Sequence, residues 1–92
     1  MDNPEPAEMP IDGVLDLHTF QPSEVKDLIP VYISECLKRD IYSLRIIHGK
    51  GKGILRSTVH SVLGGLPEVS SFRTAGEQGG GWGATLVELK KE

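Results

Sequence analysis

The chain has 92 residues, enough for one small domain but not two cores. Thirteen Asp and Glu stand against ten Lys and Arg, a formal net charge of −3, which argues against a wholly basic polyanion binder. One cysteine excludes an internal disulfide scaffold and points to a reducing compartment, with the cytoplasm the expected location.

The charge is unevenly placed. Asp2, Glu5, Glu8 and Asp12 lie in the first twelve residues with no base among them, so the remainder carries a slight positive excess. From Ile41 to His60 there are Arg45, Lys50, Lys52 and Arg56 and no acid. No apolar run nears the ~20 residues that span a bilayer, and no secretory leader pattern opens the chain, so no membrane contact is expected.

Residues 1–10 hold Pro4, Pro6 and Pro10 among acidic and small residues. They have too little apolar surface to offset ordering entropy, and are expected to be a flexible tail ahead of one domain over 11–92. Val14 to His18 alternates as a first strand, with Leu15 and Leu17 on one face and Val14, Asp16 and His18 on the other. Pro22 suits the first turn of a helix. Val25, Leu28, Ile29, Tyr32, Ile33, Cys36 and Leu37 then recur at helical spacing, an apolar stripe that makes Cys36 a core residue. Pro30 interrupts that stripe and predicts a kink, or two short helices end to end.

Tyr42 to Ile47 reads as a second strand, followed by the loop His48-Gly49-Lys50-Gly51-Lys52-Gly53. A second helix carries Ile54, Leu55, Val59, Val62 and Leu63 and stops at Gly64-Gly65. Val69 to Thr74 is a third strand. Glu77 to Gly83 is a glycine-rich turn with Trp82 packed over an edge, and Ala84 to Leu89 is a fourth strand. The order β-α-β-α-β-β implies a parallel first pair and a hairpin or antiparallel edge at the end. Two helices on one face of a mixed four-stranded sheet make a two-layer α/β sandwich of the α+β type. Leu15, Leu17, Leu44 and Ile46 should face the helices, and Asp16, His18 and Arg45 the open side or its rim.

Two segments carry the candidate chemistry, Leu15-Asp16-Leu17-His18 and His48-Gly49-Lys50-Gly51. Both end strands expected to be neighbours, and ligand sites of open α/β sheets gather at such ends. Imidazole ionises near neutrality, so Asp16, His18 and His48 could bind a phosphodiester and move protons. Gly49, Gly51 and Gly53 permit positive φ, and the loop opens a helix whose N-terminus favours anions. Lys50, Lys52 and Arg56, with Arg45 behind them, add formal charge for phosphate contact. No Gly-Lys-Ser/Thr closes the loop, and Ile54 takes the third glycine's place in Gly-x-Gly-x-x-Gly, so neither nucleotide-cofactor motif is met. His60 receives no role. Base stacking by Trp82 and a solvated loop at Lys50 and Lys52 are the competing readings for those residues.

These segments, with Ser71-Phe72-Arg73 and Gly83-Ala84-Thr85-Leu86-Val87-Glu88-Leu89, occur in the order and spacing of the Smr (small MutS-related) domain family. The resemblance covers about residues 12–90. It implies a βαβαββ fold similar to the C-terminal domain of bacterial translation initiation factor three. It also implies binding to DNA or RNA, and an endonuclease that nicks DNA or cleaves RNA, on the ribosome in some members. Such domains stand alone or end longer MutS2-type chains. By that resemblance Asp16 and His18 belong to cleavage, and His48, Gly49, Lys50 and Gly51 to the substrate side. A divalent ion, Mg²⁺ or Mn²⁺ held by Asp16, would be needed on DNA, whereas a metal-free route is open on RNA. The alternative is a non-catalytic module that docks onto nucleic acid or the ribosome. Thr19-Phe20 stand where the family commonly continues with Gly, so the loop after His18 is expected to take another course.

Overall fold

Alternation along four strands decides which side of the sheet is covered. A computed structural model describes residues 11–49, 53–75 and 83–91. Its elements are β1 (Val14–Asp16), α1 (Pro22–Lys38), β2 (Ser43–Ile47), α2 (Ile54–Gly64), β3 (Val69–Thr74) and β4 (Ala84–Leu89). The sheet order is β1-β2-β4-β3. β1 pairs parallel to β2, with Asp16 opposite Ile47, while β4 pairs antiparallel to both β2 and β3. The last hairpin therefore places β4 inside the sheet and β3 at its edge.

Leu15, Leu44, Ile46, Val87 and Leu89 point inward and are all at most 5% exposed. They meet Val25, Ile29, Ile33 and Cys36 of α1 and Val59 and Leu63 of α2 in one core. Each such aliphatic side chain contributes roughly 1.5–3 kcal/mol through burial. The expected two-layer α+β arrangement is the one found, with both helices on one face. Cys36 is a free buried thiol, and burial raises its pKa above the ordinary value, so it packs as an apolar residue.

α1 is a single helix of 17 residues that runs through Pro30, rather than two short helices. Pro22 occupies its first turn, and the Glu24 carboxylate accepts the Gln21 backbone N–H at 2.8 Å. The stripe on either side of Pro30 is what survives: Val25, Ile29, Tyr32, Ile33 and Cys36 are all buried. Packing thus outweighs the one backbone bond that proline removes. Tyr32 also ties the helix to β1. Its hydroxyl accepts the Gly13 N–H at 3.1 Å and donates to the Val14 carbonyl at 3.2 Å.

β1 ends at Asp16 instead of His18, and the reason is local. The Asp16 carboxylate accepts the His18 backbone N–H at 3.1 Å, and the Phe20 N–H returns to the Leu17 carbonyl at 2.9 Å. A side chain that bonds its own backbone two residues on turns the chain out of the ladder. Thr19 keeps a negative φ, since Asp40 is the one non-glycine with positive φ among the described residues. Phe20 packs on the core instead. The N-terminal segment 1–10, Lys50, Gly51, Lys52 and Trp82 lie outside the described residues. No helix among the described residues is long and apolar enough to cross a membrane.

Candidate active site

The parallel pairing of β1 and β2 brings the two sequence motifs to one end of the sheet. Leu17 N–H donates to the Ile47 carbonyl at 2.7 Å, which sets the chain just before His18 beside the chain just before His48. His18, His48 and Gly49 then line a cleft of about 330 Å³, closed on its far side by the first turn of α2 from Gly53 to Arg56.

His18 is held by the carboxylate two residues earlier. Its Nδ1 lies 2.5 Å from Asp16 Oδ1, the oxygen that also accepts the His18 backbone N–H. These bonds to His18 pull the Asp16 carboxyl below its ordinary pKa of 3.8. A carboxylate only accepts, so Nδ1 carries the proton and Nε2 is the ring atom free for chemistry. Both side chains are half exposed or more, at 50% for Asp16 and 61% for His18. The pair is open to a large ligand.

His48 sits differently. Its ring is 4% exposed, with Nδ1 at 3.1 Å from the Gly49 carbonyl and Nε2 at 2.8 Å from Thr85 Oγ1. Both ring nitrogens are occupied, so the ring that borders the cleft has no nitrogen free to exchange a proton with a ligand. Burial pushes its pKa below the ordinary 6.5. The same Thr85 oxygen lies 2.9 Å from His60 Nε2, and burial lowers the pKa of that imidazole as well. The sequence reading left Thr85 and His60 without a part. The available signal was a hydroxyl on the inward face of β4, where Val87 and Leu89 are otherwise apolar.

The cleft's other wall suits an anion. Gly49 and Gly53 both adopt φ of +83°, a region that side chains with a Cβ rarely enter. Gly53 caps α2, and Ser57 N–H returns to the Gly53 carbonyl at 2.9 Å, leaving Ile54, Leu55 and Arg56 N–H groups without partners inside the helix. No acidic side chain lies in that first turn, and Arg56 supplies a formal positive charge. Arg45 is not brought there. It lies mid-strand, between Val14 and Leu86 on the uncovered face of the sheet.

Among the described residues, no three His, Cys, Asp or Glu converge as a metal-binding group. Among the described residues Asp16 is the carboxylate bonded to a cleft side chain, and one of its oxygens is already taken twice by His18. That donor set falls short of a dedicated site for Mg²⁺ or Mn²⁺.

An α+β sandwich with an Asp–His pair beside a helix N-terminus defines a class of domain with a cleft at its strand ends. The Smr domain profile matches residues 15–90, and the chain belongs to the Smr domain family. Its fold matches the crystal structure of the Smr domain of Thermus thermophilus MutS2 with a TM-score of 0.82 at 30% identity, covering 87% of this chain and all of that one. It matches YdaL, a stand-alone small MutS-related protein from Escherichia coli, with a TM-score of 0.81 at 31% identity over 89% of this chain and 67% of that one. In sequence it is 40% identical over 76 residues to endonuclease MutS2 of Brevibacillus brevis. It is 38% identical over 77 residues to endonuclease MutS2 of Solidesulfovibrio magneticus. The match covers 83% and 84% of this chain but a tenth of each of those relatives.

Proposed function

We propose that this chain is a nucleic-acid-binding domain that cleaves phosphodiester bonds, with His18 as the proton-transfer group and Asp16 as the residue that orients it. The observation that carries the reading is the 2.5 Å contact between His18 Nδ1 and Asp16 Oδ1 at the mouth of a cleft walled by the α2 N-terminus. The name endonuclease attached to its MutS2 relatives supports the same chemistry.

A phosphate seated on the first turn of α2 has its charge met by backbone N–H groups and by Arg56. Lys50 and Lys52, three residues or fewer from that turn in sequence, add charge to the same loop. On RNA, His18 Nε2 takes the 2′-OH proton as the 2′-oxygen attacks phosphorus. The 5′-oxygen leaves and is protonated by water, giving a cyclic phosphate and a 5′-hydroxyl. On DNA the attacking group is water, whose proton passes to the same nitrogen as one P–O ester bond breaks; the departing sugar oxygen takes a proton from solvent, giving a phosphomonoester and a hydroxyl. His48, with both nitrogens engaged, shapes the cleft floor and transfers no proton.

The test uses labelled single-stranded RNA and supercoiled plasmid, each with and without Mg²⁺ or Mn²⁺. Cleavage by the wild type that is lost in His18→Ala supports the reading. Cleavage unchanged in both His18→Ala and Asp16→Ala would place the activity elsewhere. Binding with no cleavage by the wild type would leave a docking module in place of a nuclease.

A further inference from the structure

The chain His48–Thr85–His60, buried at its first two members and partly buried at His60, joins three elements beneath the cleft, and no step of the cleavage chemistry uses it. Thr85 is fully buried and faces inward from β4 opposite Ile46, where valine would fill the same space without a polar atom. A hydroxyl there is tolerated only when partnered, and this one has two imidazoles within 2.9 Å.

Proton placement along the chain follows from its end. The Gly49 carbonyl can only accept, so His48 Nδ1 carries the hydrogen. A buried neutral His48 then has a bare Nε2, which accepts the Thr85 O–H. The Thr85 oxygen in turn accepts the His60 Nε2–H. The order runs one way, from α2 through β4 to the loop after β2. Among the described residues no carboxylate takes part, the charged neighbour that bears on both rings is Arg56, and Phe72 of β3 packs on the His60 ring at 5.0 Å. A proton added to His48 at Nε2 would set two N–H donors on the Thr85 oxygen and leave the Thr85 O–H without its acceptor.

We propose that Thr85 and His60 are positioning residues of the cleft: they hold His48 as its Nδ1–H tautomer, which clamps the Gly49 carbonyl and fixes left-handed Gly49 beside His18. Two further backbone bonds make the clamp rigid, since the N–H groups of His48 and Gly49 both reach the Gly83 carbonyl at 2.8 and 2.9 Å. Gly49 is thereby set close to His18, so that a Cβ built on it would stand 3.9 Å from the His18 Cβ. The effect on cleavage rests on the nuclease reading above, whereas the tautomer itself is measurable with no substrate present.

The experiment is long-range ¹H–¹⁵N NMR at pH 7.5 on the full chain as wild type, Thr85→Ser, Thr85→Val and His60→Phe, with kcat and KM for RNA or plasmid cleavage measured alongside. Wild type and Thr85→Ser should show His48 protonated at Nδ1 and bare at Nε2. Thr85→Val should lose that preference and lower kcat by about tenfold with little change in KM, as expected for a lost orienting hydrogen bond. Thr85→Ser should restore both readouts. A wild-type His48 protonated at Nε2, an unaltered tautomer in Thr85→Val, or no rescue by serine would overturn the proposal. If Thr85→Val fails to fold by circular dichroism, His60→Phe decides. It keeps an aromatic ring against Phe72 but no donor, and an unmoved His48 Nε2 resonance would overturn the proposal. If the wild type cuts neither substrate, the nuclease reading falls and the tautomer result still judges this one.

Discussion

Asp16 Oδ1 holds His18 twice, by the backbone N–H at 3.1 Å and by ring Nδ1 at 2.5 Å, because the turn that ends β1 at Asp16 brings His18 back over that carboxylate. A carboxylate bound to both ends of one residue leaves the ring little freedom about its side-chain torsions. Nε2 is therefore aimed before any ligand arrives.

The two residues should then fail differently. Removing the proton carrier in His18→Ala should lower cleavage by about 10²–10⁴-fold, the usual contribution of general acid–base catalysis. Asp16→Asn keeps a hydrogen-bond acceptor and loses the charge, so a smaller loss is expected in kcat at unchanged KM. Equal losses in both variants would mean that the carboxylate itself meets the substrate. Steady-state cleavage of a labelled oligonucleotide separates these outcomes.

The same pair sets a titration. Bonds to His18 hold the Asp16 carboxyl below 3.8, so in the folded chain it stays ionised to lower pH than in the unfolded one. The stability it contributes is present above 3.8 and is lost as pH falls through the folded value. With both side chains half exposed, solvent screening keeps that contribution small. His18→Ala should raise the Asp16 carboxyl toward its ordinary value, as read from its ¹³C chemical shift during titration. An unmoved carboxyl would show that the ring bond is not made in solution.

Acid should act more strongly through His48, which is buried, and His60, which is partly buried. Burial lowers the pKa of His48 and His60 from 6.5, so the unfolded chain binds protons that the folded chain refuses. Stability is then complete above about 6.5, declines as pH drops below that value, and levels off beneath the folded pKa values. Urea midpoints at pH 8, 6 and 5 should fall in that order, and His60→Phe should flatten the fall. A midpoint independent of pH across this window would mean that the rings are not desolvated. The Asp16 window begins lower, at the ordinary carboxyl value of 3.8.

Much of this fold could be read from spacing alone. Period-two alternation gave the inward faces of β1 and β2, and the 3.6-residue stripe carried α1 past Pro30. The turn after β1 was hidden, because it depends on an Asp16 side chain competing with the sheet for a backbone N–H. In the site, Asp16, His18 and Gly49 could be foreseen as neighbours from the parallel pairing of their strands. The burial of His48 could not, since its partners Thr85 and His60 lie 37 and 12 residues further on. Alternation placed Arg45 on the open side, away from the helix-capped cleft, although proximity in sequence suggested a phosphate contact. Sequence neighbours on one strand diverge to opposite faces, and charge counted along the chain misses that.

Glycine's role in the cleft walls can be checked through backbone strain. Gly53→Ala must hold a Cβ at φ +83°, a destabilisation of about 1–2 kcal/mol, while Gly53→Asn should lose less because asparagine tolerates this region. The nearest atom to the new Cβ is the Arg56 guanidinium nitrogen at 3.4 Å, the far end of a flexible side chain, so the backbone term dominates. Thermal melts of the two variants should rank wild type above Asn above Ala. Alanine equal to asparagine would assign the loss to the Arg56 contact instead.

Nucleic-acid affinity should distinguish the two arginines by position. Arg56 borders the cleft at the start of α2, where a phosphate would meet both its guanidinium and the free N–H groups of that turn. Arg45 projects from the opposite face of the sheet, between Val14 and Leu86. Losing one phosphate contact lowers the slope of log affinity against log salt by roughly 0.7 on single strands and 0.9 on duplex. Arg56→Ala should show that decrease, and Arg45→Ala should leave both affinity and slope near the wild type. Fluorescence anisotropy with a labelled oligonucleotide from 50 to about 200 mM salt covers the useful range. A reversed result, with Arg45 carrying the salt dependence, would move the bound strand onto the open sheet face and away from His18.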